Sequence, residues 1–531
     1  MRPRIRSPRS VRLGVSAVLL AVVAAACGTS STSGSHTTGT TVPHAGGSLT
    51  VLEDTGYAGA WPAGLDPATN INGAADQSYM DAIYGELFEL GSGGKVIDDL
   101  ATGYSFANGG KTVLINLRQG VKFQDGTPFN ADAVAFNIKR DLASPCTCKP
   151  TWPVSSVTAS GPYTVDISLS SVFSAIIASF FDSTANWIAS PTALRKLGTR
   201  AFALKPVGAG PFAVVSDTLS SVLTLKRYPG YWQAGRPYLD QLTFKVIGGG
   251  DEAAYEAMLA GEGQVYEDMS TPALLKQAAQ HFTVTNQLST SPYDLQLNTA
   301  AAPFSNILAR EAIYYATDFA PISQHIFASL YPATQSFTGP GGICYEPTVP
   351  GYRAYDLAKA KQLVRQLGGL TVSLGTINVL VASETTQALQ TEWAQAGIHT
   401  TIHSYDLASL IQTFTSKKWQ AMVQTAGSYD PAAGVGVAFR FSSTSPFSGV
   451  HDPHLDQILN AAAATLDAST RCGLYAQAAS YISQQAYGPF YFSFAPANIV
   501  AKGVTGPGLS SPLPSVVVTP MVLWEDVSAG Q

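Results

Sequence analysis

The stretch Lys205–Asp240, KPVGAGPFAVVSDTLSSVLTLKRYPGYWQAGRPYLD, constrains the fold more than any other part of this chain. It opens on a glycine–proline corner. Gly208 and Gly210 permit backbone angles that a side chain forbids, and Pro211 fixes φ for entry into an extended run. Val222, Thr224 and Lys226 then share one face of a second strand, with Leu223 and Leu225 on the other. The loop Tyr228-Pro229-Gly230-Tyr231-Trp232 gathers aromatic rings around a tight turn. The spacing of a dinucleotide-binding loop, G-x-G-x-x-G/A, also fits Gly208–Ala213. Context excludes it, because Pro211 and the β-rich run behind it leave no helix N-terminus to hold a pyrophosphate. The stretch therefore reads as a β-rich core segment.

At 531 residues the chain exceeds what one core can fill, so two or three lobes are expected. The first 26 residues hold five arginines and no acid, and removing them leaves 26 basic against 36 acidic residues, a formal charge of −10. No basic run survives in that part, which argues against nucleic acid as a partner, since phosphate neutralisation needs clustered Lys and Arg.

Residues 1–26 read as a signal peptide. Arg2, Arg4, Arg6, Arg9 and Arg12 precede the apolar run Leu13–Ala26, which has signal-peptide length and is short for a membrane span. No arginine pair is adjacent, pointing to the general secretory route. Ala24-Ala25-Ala26-Cys27-Gly28 is similar to a bacterial lipobox, although Ala24 stands where a larger aliphatic residue is usual. An ordinary A-x-A cleavage site before a cysteine is the alternative. The Ser/Thr/Gly-rich run Ser30–Thr41 supplies the flexible tether that an anchored domain needs, so Cys27 is the expected lipidation site and residues 27–46 the tether.

Cys146, Cys148, Cys344 and Cys472 remain, and in an exported protein four cysteines suggest disulfides with three possible pairings. Cys344 with Cys472 is the preferred long-range pair. Cys146-Thr147-Cys148 could form half of a metal site, but no histidine lies near it and no second C-x-C exists.

Along the chain, strands and helices alternate without a repeat. Gly47–Val51 opens as a strand, and Ala74–Leu90 has helical spacing, with Met80, Ile83, Tyr84 and Leu87 in a core stripe. In KTVLINLRQGVKFQDGTPFNADAVAFNIKR, Val113, Ile115 and Leu117 alternate as a strand, Asp125-Gly126 turns, and Asn130 caps a helix. Ser171–Phe181 reads as an apolar helix. From Val372 the pattern becomes βαβ: strands Val372–Val381, His399–His403 and Ala421–Thr425 alternate with helices Thr386–Ala396 and Leu407–Thr415. A final strand is expected near Ser515–Val518.

Four blocks carry a resemblance. KTVLINLRQGVKFQDGTPFNADAVAFNIKR, the opening stretch extended to Ile247, Leu297-Asn298-Thr299 with Pro303-Phe304 and Arg310-Glu311-Ala312, and YDLAKAKQLV are similar, in order and spacing, to bacterial extracellular solute-binding proteins of family 5. These are substrate-binding components of ATP-driven importers for peptides, nickel or related solutes. The resemblance implies an α/β, two-lobed periplasmic-binding-protein fold with a two-strand hinge and an extra inserted domain. Lobe one would gather residues 47–85, 199–286 and 492–531, the inserted domain 86–198, and lobe two 287–491, with hinge strands near Tyr293–Asn298 and Pro489–Phe494. It further implies a monomer without cofactor or catalytic activity, partnered by permease and ATPase subunits and by the membrane through its lipid anchor.

For the ligand, the resemblance points to two places. One is the loop Tyr57–Leu65 after the first strand, with Tyr57 and Trp61 as contacts. The other is Gln424–Pro431, where relatives carry roughly "GW-x-ADY-x-DP" and the acid pairs with a peptide amino group. Here Tyr429, Asp430 and Pro431 match, Thr425 stands for the tryptophan and Ser428 for the acid, so Thr425, Gly427, Ser428, Tyr429 and Asp430 are candidate contacts in an altered loop. A structural turn is the competing reading of Tyr429 and Asp430. Arg440 is a candidate for a ligand carboxylate, an exposed arginine being the alternative. His399 and His403 share a strand face but stand too far apart along it to share an ion easily, and His451-Asp452-Pro453-His454 falls in a loop before a helix. No G-x-S-x-G, H-E-x-x-H or phosphate-loop motif is present. Two expectations follow: a lipid-anchored receptor delivering a peptide or peptide-like solute, or a regulatory or structural envelope lipoprotein of the same fold with a degenerate cleft.

Overall fold

The computed structural model describes residues 43–54, 60–70, 76–144, 149–181, 183–290, 292–331, 333–378, 380–424, 435–493, 497–515 and 521–530. Among them three larger sheets organise the chain.

The first is seven-stranded, in the order Thr283–Asn286, Ala497–Val500, Val265–Met269, Ser48–Asp54, Gln241–Ile247, Val222–Arg227, Phe212–Thr218. Ser48–Asp54 runs parallel to Gln241–Ile247 on one side and to Val265–Met269 on the other. Lys205–Asp240 supplies the hairpin at one edge, Phe212–Thr218 against Val222–Arg227. Leu223 and Leu225 are buried while Val222 and Thr224 are half-exposed, the alternation of a sheet with one covered face. What forbids side chains at Gly208 and Gly210 is close approach, since neither has a positive φ. A Cβ at Gly208 would lie 2.5 Å from the Tyr84 Cα, and one at Gly210 would lie 2.6 Å from the Gly85 nitrogen.

The second sheet, belonging to the inserted domain, is four-stranded and antiparallel: Ala101–Ala107, Thr112–Leu117, Thr164–Leu169, Val154–Gly161. Helix Ala131–Leu142 covers it, with the Asn130 side chain accepting from the Ala133 amide at 3.0 Å. Two of the blocks singled out in the sequence meet here. The Gln124 amide donates to the carbonyls of Ile83 and Phe212 at 2.8 and 2.7 Å and accepts from the Gly208 amide at 3.2 Å. The Tyr228 hydroxyl donates to Phe123 O at 3.0 Å, and the Arg118 guanidinium lies 3.9 Å above the centre of the Trp232 ring. The aromatic loop thus fastens the inserted domain to lobe one.

The third sheet, in lobe two, orders Ile398–Tyr405, Leu370–Ile377, Ala421–Gln424, Pro292–Leu297, Phe490–Ser493. Its first three strands are parallel, joined by helices Leu380–Gln395 and Leu407–Ser416, as the βαβ pattern predicts. The last two are antiparallel neighbours. The strands expected as hinge elements, Tyr293–Asn298 and Pro489–Phe494, therefore lie for the most part inside this sheet.

Two local expectations differ from the structure, and a third is described only in part. Ser171–Phe181 forms turns with a single 3-10 turn, Ala178–Phe180; residues 175–181 are all buried, so their apolar content carries no period that separates helix from turns. The helical stripe from Ala74 is a helix over Gln77–Tyr84 alone. Gly85, at φ 64°, ends it, and Phe88–Gly91 pairs as a strand with Lys95–Asp98. Of Ser515–Val518, Pro514–Ser515 pairs with Leu288–Ser289, and residues 516–518 lie outside the described residues. A disulfide joins Cys344 to Cys472, with Cα atoms 4.9 Å apart. Cys27, Cys146 and Cys148 fall outside the described residues.

Candidate functional site

In a sheet whose central strands are parallel, ligands bind beyond the strands' carboxyl ends. Ser48–Asp54 and Val265–Met269 end together, and the segment immediately beyond Met269 touches lobe two, where the Tyr331 hydroxyl donates to Ser270 O at 3.1 Å. That edge of lobe one therefore faces the interlobe junction. Glu53 and Glu267 sit on it, 8% and 1% exposed. They follow the paired residues Leu52 and Tyr266, so their side chains emerge on the same face. Burial pushes the Glu267 carboxyl up to about 7, opposed by hydrogen bonds with Glu53 and the Ser78 hydroxyl. Ser78 donates to Glu267 at 3.0 Å and accepts from the Trp524 indole at 3.1 Å. The pair can hold a proton between two carboxylates near neutral pH. Sequence reading missed it, although Glu53, an acid directly after the strand run Leu49–Leu52, was the available signal.

The loop after the first strand is described from Ala60 onward, and Tyr57 lies outside the described residues. Trp61 is fully buried. Its indole donates to the Asp217 carboxylate at 3.0 Å, and its ring meets Tyr79 edge-on at 4.9 Å. Its φ of 30° is unusual for a residue with a side chain, and Ser220 holds the neighbouring Ala60 carbonyl at 2.7 Å. Trp61 thus ties the loop to the edge hairpin.

Thr425, Gly427, Ser428, Tyr429 and Asp430 lie outside the described residues. The helix that follows them, Val435–Phe441, carries Arg440, which is neither exposed nor on the surface: it is 5% exposed and forms an ion pair with Asp294, whose side chain is fully buried. Burial pulls the Arg440 guanidinium down to about 10, which leaves it charged at neutral pH. On the same face of strand Pro292–Leu297, the Gln296 amide donates to Arg440 O at 2.7 Å and to Phe447 O at 3.2 Å. Asp294 and Gln296 therefore position the helix that closes the candidate loop. The His451–His454 run is structural: Asp452 caps helix Pro453–Ala464 and accepts from the hydroxyls of Tyr481 and Tyr487.

A surface hollow lined by Asp132, Phe136, Lys139, Arg140 and Thr158 belongs wholly to the inserted domain, not to the junction. Among the described residues, no helix is long and apolar enough to cross a membrane.

The sequence profile of "Bacterial extracellular solute-binding proteins, family 5 Middle" matches residues 95–447. The glutathione-binding protein GsiB of Salmonella typhi is 33% identical over 356 residues, which are 64% of this chain and 67% of that protein. Among solved structures, the periplasmic binding protein DppA from Helicobacter pylori in complex with the peptide STSA superposes with a TM-score of 0.72 at 20% identity, covering 92% of this chain and 99% of that one. A dipeptide-binding protein from Pseudoalteromonas sp. SM9913 in complex with Met-Leu gives a TM-score of 0.74 at 19% identity, covering 90% and 100%. With two lobes, a two-stranded connection and an inserted domain in place, the chain belongs to the bacterial extracellular solute-binding proteins of family 5.

Proposed function

We propose that this protein is the substrate-binding component of an ATP-driven importer, capturing a peptide or peptide-like solute between its lobes and delivering it to a membrane permease. The observation that carries this reading is family membership over two thirds of the chain, shared with a relative named for glutathione, a tripeptide. The site supports it in kind. Two lobes joined by paired crossings can close on a ligand and exclude water, which strengthens each buried polar contact. The three sheets support the division into lobe one, inserted domain and lobe two read in the sequence. Within that frame, Tyr57 and the Thr425–Asp430 loop are the proposed ligand contacts. Trp61 acts through the loop it anchors, and Arg440 through its pair with Asp294. The chain works as a binding protein, not a catalyst, and as a monomer held at the outer face of the cell membrane by lipid on Cys27.

The deciding measurement is a thermal-shift and calorimetric panel of glutathione, Met-Leu and mixed di- to pentapeptides on the mature chain, with mass spectrometry of whatever co-purifies. At ligand concentrations about a hundredfold above Kd, stabilisation of about 2.7 kcal/mol is expected. If no peptide shifts the melting temperature and nothing co-purifies, the transport reading fails. The altered Thr425–Ser428 run would then mark a degenerate cleft in a regulatory or structural envelope protein.

A further inference from the structure

Among the described residues, two separate contacts join lobe two to the inserted domain, and one covalent bond links the lobe-two halves of both. The first point is the C-terminal end of helix Pro453–Ala464. The Ser174 amide donates to Ala463 O at 2.8 Å, and the Ser174 hydroxyl donates to Ala462 O at 3.3 Å. The last carbonyls of a helix have no acceptor duty inside it, so Ser174 caps this helix from another domain. Beside it Leu466 reaches over Gly110. A Cβ at Gly110 would come within 3.1 Å of both the Leu466 Cδ1 and the Val172 Cγ1. The second point is Ile343, which packs against the core of the inserted domain. It fills the space above Gly94, where a Cβ would lie 2.5 Å from the Ile343 nitrogen.

Ile343 precedes Cys344, and Cys344 is bonded to Cys472 in helix Ala468–Gln484. That helix begins two residues after Leu466 and packs on Pro453–Ala464 through Leu455, Leu459, Tyr475 and Ile482. The disulfide thus ties the two lobe-two halves of these contacts together covalently.

We propose that Ser174–Ala463 with Leu466–Gly110, and Ile343–Gly94, form a two-point clasp that holds lobe two against the inserted domain, and that the Cys344–Cys472 disulfide makes the two points engage and release together. Each point is modest: two hydrogen bonds and the apolar side chain of Leu466 at the first, and the partly buried side chain of Ile343 at the second. Such contacts can bias a two-state equilibrium without locking it. Left independent, they would open one at a time. Joined through the disulfide, the loss of either admits solvent to both. This inference goes beyond the transport reading and does not depend on the identity of the cargo.

Hydrogen exchange of the full mature chain tests it without any ligand, through peptides that cover Gly94, Gly110 and Ser174. In Cys344→Ser/Cys472→Ser, exchange is expected to rise about tenfold or more at Gly94 and at Ser174 together, with the strands of all three sheets unchanged. No rise, or a rise at one point alone, overturns the proposal. If that variant does not fold, Leu466→Ser decides, since Leu466 is 38% exposed and its replacement leaves the cores intact. With the disulfide in place, faster exchange at Ser174 and also at Gly94 supports the coupling. Faster exchange at Ser174 alone refutes it.

Discussion

Arg440 shows how a residue's role depends on what faces it. The sequence offers an arginine a few positions beyond a candidate ligand loop, and either an anion contact or a solvated side chain fits that view. The structure instead buries it against Asp294, a strand residue of the same lobe, with side-chain exposures of 6% and 0%. Removing one partner of a buried pair strands the other charge. Arg440→Met is therefore expected to cost about 3–5 kcal/mol in urea unfolding, and the paired replacement Asp294→Leu/Arg440→Met clearly less than the two single costs summed. A paired cost equal to the two single costs summed would mean that the two charges do not depend on each other. Asp294 lies far from Arg440 in sequence and inside an apolar strand, Pro292–Leu297, so no local pattern marks the partnership. Gly208 and Gly210 were legible as special, but for a different reason than the one that holds: they admit the backbone of residues 83–85 rather than a left-handed turn.

At the scale of elements, the alternating patterns were read well wherever one face is wet. The edge hairpin, the βαβ run and the Asn130-capped helix all follow from such alternation. Fully buried segments were read poorly, since Ser171–Phe181 has no solvent face to set a period. Several elements also meet in a way that no single one foretells. Asp81 from helix Gln77–Tyr84, Glu86 beyond it, Glu89 from Phe88–Gly91, Asp99 before Ala101–Ala107, and Glu525 from the turn Trp524–Asp526 converge at the junction of lobe one and the inserted domain. Arg236 pairs with Asp526 at 2.6 Å, Arg118 bonds Asp99 O at 3.0 Å, Asn186 bonds Glu86 at 2.7 Å, and Tyr231 faces the group. Burial, reinforced by mutual repulsion, pushes Glu89, Asp99 and Glu525 up to about 8, and raises Asp81 and Glu86 well above the carboxylate range. Between the unfolded value near 4 and about 8, the folded chain keeps protons that the unfolded chain releases. Stability from this cluster is thus full below about pH 4 and is lost as pH rises through about 8. Melting temperature measured from pH 5 to 9 should fall towards the alkaline end, and Glu89→Gln should flatten that fall. A profile flat to pH 9 in the parent chain would remove the cluster from the stability of the fold.

For the whole molecule, the two-lobed fold was legible through a resemblance carried by four motif blocks, two of which pack together where the first and second sheets meet. The candidate site was less legible, since Glu53 and Glu267 meet only after folding and the Thr425–Asp430 loop lies outside the described residues. In the proposed reading, attachment of the molecule to its membrane rests on Cys27. Cys27→Ser is expected to move the protein from the membrane fraction to the soluble exported fraction, with peptide binding unchanged. Retention in the membrane fraction would assign anchoring to another part of the chain. The seven-stranded sheet has one further consequence. Thr283–Asn286 joins it solely through Ala497–Val500, which also completes the pairing of Val265–Met269. Lobe one therefore lacks a finished sheet until residue 500 is in place, after the whole of lobe two has been made. On the export route proposed from residues 1–26, that order of assembly would keep the N-terminal lobe from locking shut while most of the polypeptide is still in transit.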